Sequence, residues 1–267
     1  MRTRILVASV GRRLSQRLKE SVLAVQDYVL LLWRALHAAF TPPRYAAEIL
    51  AQMDSLGVGS LSIVVLTGMF TGMVLALQSS ATLDVFGARP YVGRLVSLSM
   101  VRELGPVLTA LMVTGRVGSG IAAELGSMVV TEQINALRAL GTDPIRKLVV
   151  PRVLAGLVMV PALTAISNGV GMAGAWIIAT GQLGVASSVY WNSVWLGLYL
   201  EDVWMGLIKP LFLAFAIVTI GCHVGLRTTG GTQGVGKATT RAVVAGSVAV
   251  LAVDFFVTKL LIVLMYP

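Results

Sequence analysis

Residues 153–180 read VLAGLVMVPALTAISNGVGMAGAWIIAT, and no Asp, Glu, Lys or Arg follows them until Glu201. A helix needs only about 20 such residues to cross a bilayer. Residues 55–83 are free of charged side chains in the same way. Across all 267 residues, 56% are hydrophobic and only 12% charged, with a mean hydropathy of +0.84. A soluble domain is typically about one quarter charged, so this chain lacks the residues needed to wet a globule of its size. The pattern predicts an all-α polytopic membrane protein.

Five spans follow from the apolar runs, at about 60–80, 96–128, 153–180, 207–226 and 242–265. The first contains Gly68 and Gly72, a GxxxG pair that lets a second helix approach closely. Residues 1–20 carry Arg2, Arg4, Arg12, Arg13, Arg17 and Lys19. In the next segment Glu20, Asp27 and Arg34 recur every seventh residue, drawing one polar stripe along an otherwise apolar helix. Such a helix either lies in the membrane interface or spans it with the stripe turned toward other helices. Thr41-Pro42-Pro43 ends it, because proline blocks helix continuation. Residues 1–45 are therefore expected to form a basic N-terminus with an interfacial helix, and 46–267 the five-span domain.

Orientation follows from the basic residues. With the N-terminus in the cytoplasm, the 131–152 and 227–241 loops also fall there, carrying Arg138, Arg146, Lys147, Arg152, Arg227, Lys237 and Arg241. The 181–206 loop, with Glu201, Asp202 and clustered Trp and Tyr, falls outside, as does the C-terminus. This matches the positive-inside bias and the usual place of aromatic residues at headgroup level. That bias also accounts for the net charge of +9, and no basic patch with interleaved aromatics points to nucleic acid. The single cysteine, Cys222, and two scattered histidines, His37 and His223, offer no metal site and no disulfide. Gly231-Thr232-Gln233-Gly234-Val235-Gly236-Lys237 imitates a P-loop, but Ala238 replaces the hydroxyl residue that would hold magnesium, and the setting between two spans is wrong. Its expected form is a flexible connection. No cofactor and no catalytic residue is predicted, and any ATP hydrolysis falls to another chain.

Ionisable residues at membrane depth are costly unless paired or wetted. Arg102, Glu103, Arg116, Glu124, Lys209 and Asp254 all fall within or at the edges of the spans. One reading is a set of salt bridges fastening helices together. The other is a water-accessible cavity in which Arg102 and Lys209 meet an anionic headgroup while Glu103 and Asp254 balance them, with Leu75 and Leu77 as apolar neighbours. Arg116 and Glu124 are expected to organise a helix end. In the loop that follows, Ile134, Leu137 and Leu140 recur every third residue, and Gly141 is suited to a left-handed C-cap. Asp143-Pro144 then opens a new helix with a capping carboxylate and proline at its first position. A short capped helix over 131–144 is either an ordinary amphipathic loop or a shape for docking on a soluble partner.

The run EQINALRALGTDPIRKLVVPR, Glu132 to Arg152, resembles the signature of the MlaE (YrbE-like) permeases of lipid-moving ABC transporters. Val101-Arg102-Glu103-Leu104-Gly105-Pro106-Val107-Leu108, Gly115 to Glu124 and the Gly230 to Thr240 segment resemble the same family. The likeness runs from about residue 45 onward. It implies a bacterial inner-membrane permease that acts as a homodimer and carries phospholipid between inner and outer membranes, maintaining outer-membrane asymmetry. It also implies a separate cytoplasmic ABC ATPase, a periplasmic MCE-domain lipid-binding protein and a small accessory subunit. The ATPase would contact Glu132, Ile134, Leu137, Arg138, Leu140, Gly141 and Asp143. Related systems handle sterols or fatty acids. A proton-coupled secondary transporter using Asp254 and Glu103 is the alternative from another class, although such proteins usually carry repeated halves and this chain shows no repeat.

Overall fold

The computed structural model describes residues 23, 25–38, 41 and 45–265. The basic run 1–20 and the Pro42-Pro43 stop lie outside the described residues. The described chain forms, in order, α1 (25–38), α2 (Ala46–Val85), α3 (Arg89–Val130), α4 (Gln133–Ala139), α5 (Ile145–Gly181), α6 (Ser187–Gly197), α7 (Leu200–Leu226) and α8 (Gly231–Met265). Among the described residues there is no strand. Five of these helices, α2, α3, α5, α7 and α8, are long and apolar enough to cross a bilayer. The chain is an all-α, multi-pass membrane protein.

The helices run well past the apolar stretches that announce them, because a polar residue continues a helix at little cost once its backbone bonds are made. Two connections are consequently much shorter than expected. The 227–241 loop shrinks to 227–230, and Gly230 at its end and Gly231 at the first position of α8 take φ of +91° and +64°, a conformation open to glycine. The Gly231–Lys237 run is thus the first turns of α8 and not a flexible connection. The 181–206 loop holds α6 and the start of α7. Tyr190 of α6 is fully buried and donates to the Met172 carbonyl at 2.8 Å; burial pushes its phenol up from its ordinary value, so it stays a donor.

In lipid, helices associate through close packing and not through a hydrophobic drive, and α2 against α5 illustrates this. It is the most extensive helix pair among the described residues. A Cβ on Gly72 would fall onto the Gly171 carbonyl, and one on Gly174 onto the Met69 carbonyl. Beyond this pair, α7 packs against α5, α3 and α8. One end of the bundle gathers α4, the starts of α5 and α8 and, among the described basic residues, Arg138, Arg146, Lys147, Arg227, Lys237 and Arg241. The other gathers α6 and most of the Trp and Tyr residues. On the flank, α1 is fastened to the basic end of α7 by Asp27–Arg227 at 3.2 Å and by the Tyr28 and Thr219 hydroxyls at 2.8 Å.

Single π-helical turns interrupt α2 at Asp54–Val58 and α3 at Met100–Leu104 and Thr114–Gly118, and another opens α5 at Ile145–Val149. Such turns shift the register of everything beyond them and free carbonyls from the ladder.

Gly72→Val is expected to destabilise the protein by about 3 kcal/mol through overpacking at the α2–α5 crossing. Gly169→Ala, where a Cβ meets nothing within 4 Å, should leave stability unchanged or slightly raised. Thermal unfolding in detergent checks both, and equal midpoints for the two variants would contradict the close-packing account.

Candidate functional site

The Met100–Leu104 π turn of α3 carries Arg102 and Glu103, and Gly105-Pro106 follows at once. An α-helix would satisfy the Arg102 carbonyl with the N–H of residue 106, and proline has none. The vacant acceptor is filled from another helix: Lys209 Nζ of α7 donates to the Arg102 carbonyl at 2.9 Å. The same ammonium donates to Glu103 Oε2 at 2.5 Å and lies 3.0 Å from Asp254 Oδ1 of α8, close enough to pair though not aligned as a hydrogen bond. Thr258, one turn beyond Asp254, donates to Glu103 Oε1 at 3.5 Å. Lys209 is 0% exposed.

Arg102 itself pairs with Asp202 at 2.5 Å. Asp202 is 0% exposed and accepts the Tyr199 N–H at 3.0 Å, capping the first turn of α7. A carboxylate read from the sequence as part of an outer loop is therefore a buried member of the cluster. The sequence signal was available, since Asp202 stands three residues after Tyr199 at a helix start, but nothing in the spacing linked it to Arg102, a hundred residues away. Three helices thus share two cations and three carboxylates, giving a formal net charge of −1. The cluster has a closed and an open side: Lys209 and Asp202 are sealed, whereas the side chains of Arg102 and Glu103 are 36% and 42% exposed.

Arg102, Glu103, Lys209 and Asp254 are brought together as their residue types suggested. Leu75 and Leu77 are not. They lie on α2, which packs against α5 and the start of α3; Leu75 joins the apolar core near α6 and Leu77 points outward. Arg116 and Glu124 serve separate contacts toward the basic end. Arg116 donates to Ser60 Oγ at 2.9 Å and to the Ser55 carbonyl at 3.2 Å, beside the π turn of α2. Glu124 pairs at 2.7 Å with Arg152, which is buried and not part of an exposed loop.

Between α3 and α5, Glu132 takes a left-handed φ of +60° and starts α4. Gly141, at φ +74°, ends the turn after it, and Thr142 N–H bonds back to the Leu137 carbonyl at 3.0 Å. Asp143 Oδ1 accepts the Ile145 N–H at 3.0 Å and caps the next helix. The expected apolar ridge is divided. Ile134 is buried in the protein's own core and offers no surface for docking, whereas Leu137 packs against that core and stays partly open. Leu140 is 80% exposed, and Glu132, Arg138, Gly141 and Asp143 are exposed around it.

Comparison with known proteins bears on this geometry. The family model described as permease MlaE matches residues 49–260. The chain is 41% identical over 238 residues to a protein of Rickettsia typhi named "probable ABC transporter permease protein", covering 89% of this chain and 92% of that one. It is 45% identical over 212 residues to a Synechocystis protein of the same description, covering 79% and 81%. It is 40% identical over 214 residues to the "intermembrane phospholipid transport system permease protein MlaE" of Haemophilus influenzae, again covering 79% and 81%.

Asp202→Ala removes both the helix cap and the partner of Arg102, and is expected to cost about 2–4 kcal/mol. Chemical or thermal unfolding of the purified protein measures this; a loss below about 1 kcal/mol, the scale of an exposed pair, would contradict the buried pairing.

Proposed function

The chain belongs to the MlaE permease family, and from that premise we propose that it is the membrane subunit of an ABC transporter that moves phospholipid between the inner and outer membranes. It resides in the inner membrane with its N-terminus cytoplasmic and its C-terminus periplasmic, 1–45 forming the interfacial arm and 46–267 the permease domain. Two copies act together, and ATP is hydrolysed on a separate cytoplasmic subunit. A periplasmic MCE-domain protein and a small accessory subunit complete the assembly. Sterols or fatty acids are the alternative cargo.

What supports the reading is the charged cluster between α3, α7 and α8, closed at Lys209 and open at Arg102 and Glu103. A purely structural ion-pair set gains little from burial, because desolvation offsets attraction. The exposed halves of Arg102 and Glu103 are suited to the charges of a zwitterionic or anionic headgroup, with acyl chains in the surrounding hydrocarbon. A proton carrier fits less well, since Asp254 and Glu103 both rest against the Lys209 ammonium. The contact with the ATPase falls to the exposed tip of α4, Leu140 with Arg138 and Asp143, while Ile134 and Leu137 couple that tip to the core.

Reconstituted with its ATPase in proteoliposomes, the complex is expected to transfer labelled phospholipid in an ATP-dependent, vanadate-sensitive way. Glu103→Gln should lower the rate roughly tenfold or more with assembly intact, since a charge-assisted contact is worth about 1.5–3 kcal/mol. Wild-type transport by that variant overturns the assignment of the cluster. Leu140→Asp is expected to abolish co-purification of the ATPase without unfolding the permease, because the side chain touches no core; retention at normal stoichiometry would remove α4 from the contact.

A further inference from the structure

The basic end of the bundle holds a feature that the charged cluster does not use. A cavity of about 880 Å³ opens among the ends of α3 and α7 and the first turns of α8, lined by Thr229, Arg227, Lys237 and Arg241 among others. Arg227 is committed to Asp27 of α1. Lys237 and Arg241 are exposed and, among the described residues, have no ion-pair partner.

The position of these two cations on α8 gives the cavity its direction. Lys237 and Arg241 are one turn apart, and the face they share continues as Ala245, Val248 and Ala252 at helical spacing. With Thr240, Val244 and Ala249, the residues of this face from Arg241 to Ala252 line a shallow apolar groove of about 630 Å³ that lies along α8 alone, starts at Arg241 and runs into the span. Arg241 borders both spaces. A cationic basin that Thr229 also lines thus leads into a groove on the span. A free anion would use only the basin, and a neutral lipid only the groove. Basic pockets at the end of membrane helices favour anionic headgroups, and the adjoining groove adds the requirement of an acyl chain.

We infer that this basin and groove bind one anionic phospholipid, its phosphate between Lys237 and Arg241 near Thr229, and one acyl chain along Val244 to Ala252. The site is distinct from the charged cluster. Arg241 and Asp254 are thirteen residues apart on one helix, roughly 20 Å at 1.5 Å per residue. The lipid is a resident of the basic side of the membrane that holds the start of α8 and the end of α7, and its binding does not depend on what the cluster transports.

The test uses the purified full-length chain in neutral detergent, titrated with phosphatidylglycerol, with phosphatidylcholine, or with inorganic phosphate alone. Native mass spectrometry counts bound lipid, and thermal unfolding reads stabilisation. Phosphatidylglycerol is expected to remain bound and to raise the unfolding midpoint, with phosphatidylcholine and phosphate doing neither. Lys237→Gln with Arg241→Gln should weaken phosphatidylglycerol binding roughly 30-fold, two basic contacts being lost. Equal retention of the two lipids by the wild-type chain overturns the proposal without reference to any variant. Stabilisation by phosphate alone makes the basin a free-anion site and also overturns it, as does unweakened lipid binding by the double variant. If the cations serve an acidic protein partner instead, the wild-type chain shows no lipid preference, which is again a negative result.

Discussion

An ammonium group with no access to solvent, held between membrane helices, constrains everything around it. Isolated, the charge of Lys209 would cost several kcal/mol at that depth. It is tolerated because three acceptors converge on it: the Arg102 carbonyl, Glu103 Oε2 and Asp254 Oδ1. Two of the three exist only through the local form of α3. The π turn places Arg102 and Glu103 toward α7, and Pro106 leaves the Arg102 carbonyl without a helical donor. With an N–H at position 106, the helix itself would satisfy that carbonyl and the ammonium would have one acceptor fewer. The proline that weakens α3 is thereby part of what joins α3 to α7.

The same constraint explains how α8 is attached. Most of its large apolar side chains face outward, among them Val244, Val248, Leu251, Phe255, Phe256 and Leu260. In water this would be an aggregation surface; in hydrocarbon it carries no penalty, and it likewise supplies no force pulling α8 onto the bundle. What does hold α8 is narrow: the stripe Ala238, Ala242, Gly246 and Val250 against its neighbours, then Asp254 and Thr258 against the Lys209–Glu103 pair, and Val257 and Leu261 packed with Met205 of α7. The polar contacts fix its rotation about its own axis, which a uniformly apolar helix would leave undetermined. By contrast, α2 and α5 are locked backbone to backbone along Gly68, Gly72, Gly171 and Gly174, with no charge at their crossing.

Much of this was legible in the residues themselves. Charge-free runs as long as 153–200 admit few other folds, the glycine pair at 68 and 72 announced a close crossing, and Gly141 and Asp143 delimit α4 and α5 by ordinary capping chemistry. Residue types also identified the four charged members that meet in the core. The losses have physical causes. A π turn leaves no periodic trace, because one extra residue in a helix changes a face without changing composition. Asp202 lay in a polar, aromatic stretch that looked like a loop, and only tertiary packing carries it to Arg102. The three-residue spacing of Ile134, Leu137 and Leu140 marked a ridge without saying which side of it met the protein's own core. Arg152 followed the positive-inside pattern and is nonetheless buried against Glu124, since one good partner outweighs the usual preference of arginine for water.

Two kinds of interaction therefore divide the work in this bundle, and they respond differently to displacement. Glycine-to-carbonyl packing is short-ranged: moving α2 a few tenths of an ångström from α5 forfeits much of its dispersion energy, so that pair behaves as one body. Ion pairs in a low dielectric fall off more slowly and can exchange one partner for another of like charge. Glu103, with one oxygen on Lys209, the other near Thr258 and nearly half its surface open, has the least to lose from such an exchange. Lys209, enclosed on every side, has the most. A change in the cluster must begin at its open edge, at Glu103 and Arg102, and the ammonium then keeps Asp254 and the Arg102 carbonyl while it occurs. The sealed lysine is the fixed point about which the exposed charges can be re-paired, and the proline-freed carbonyl is what keeps it fixed.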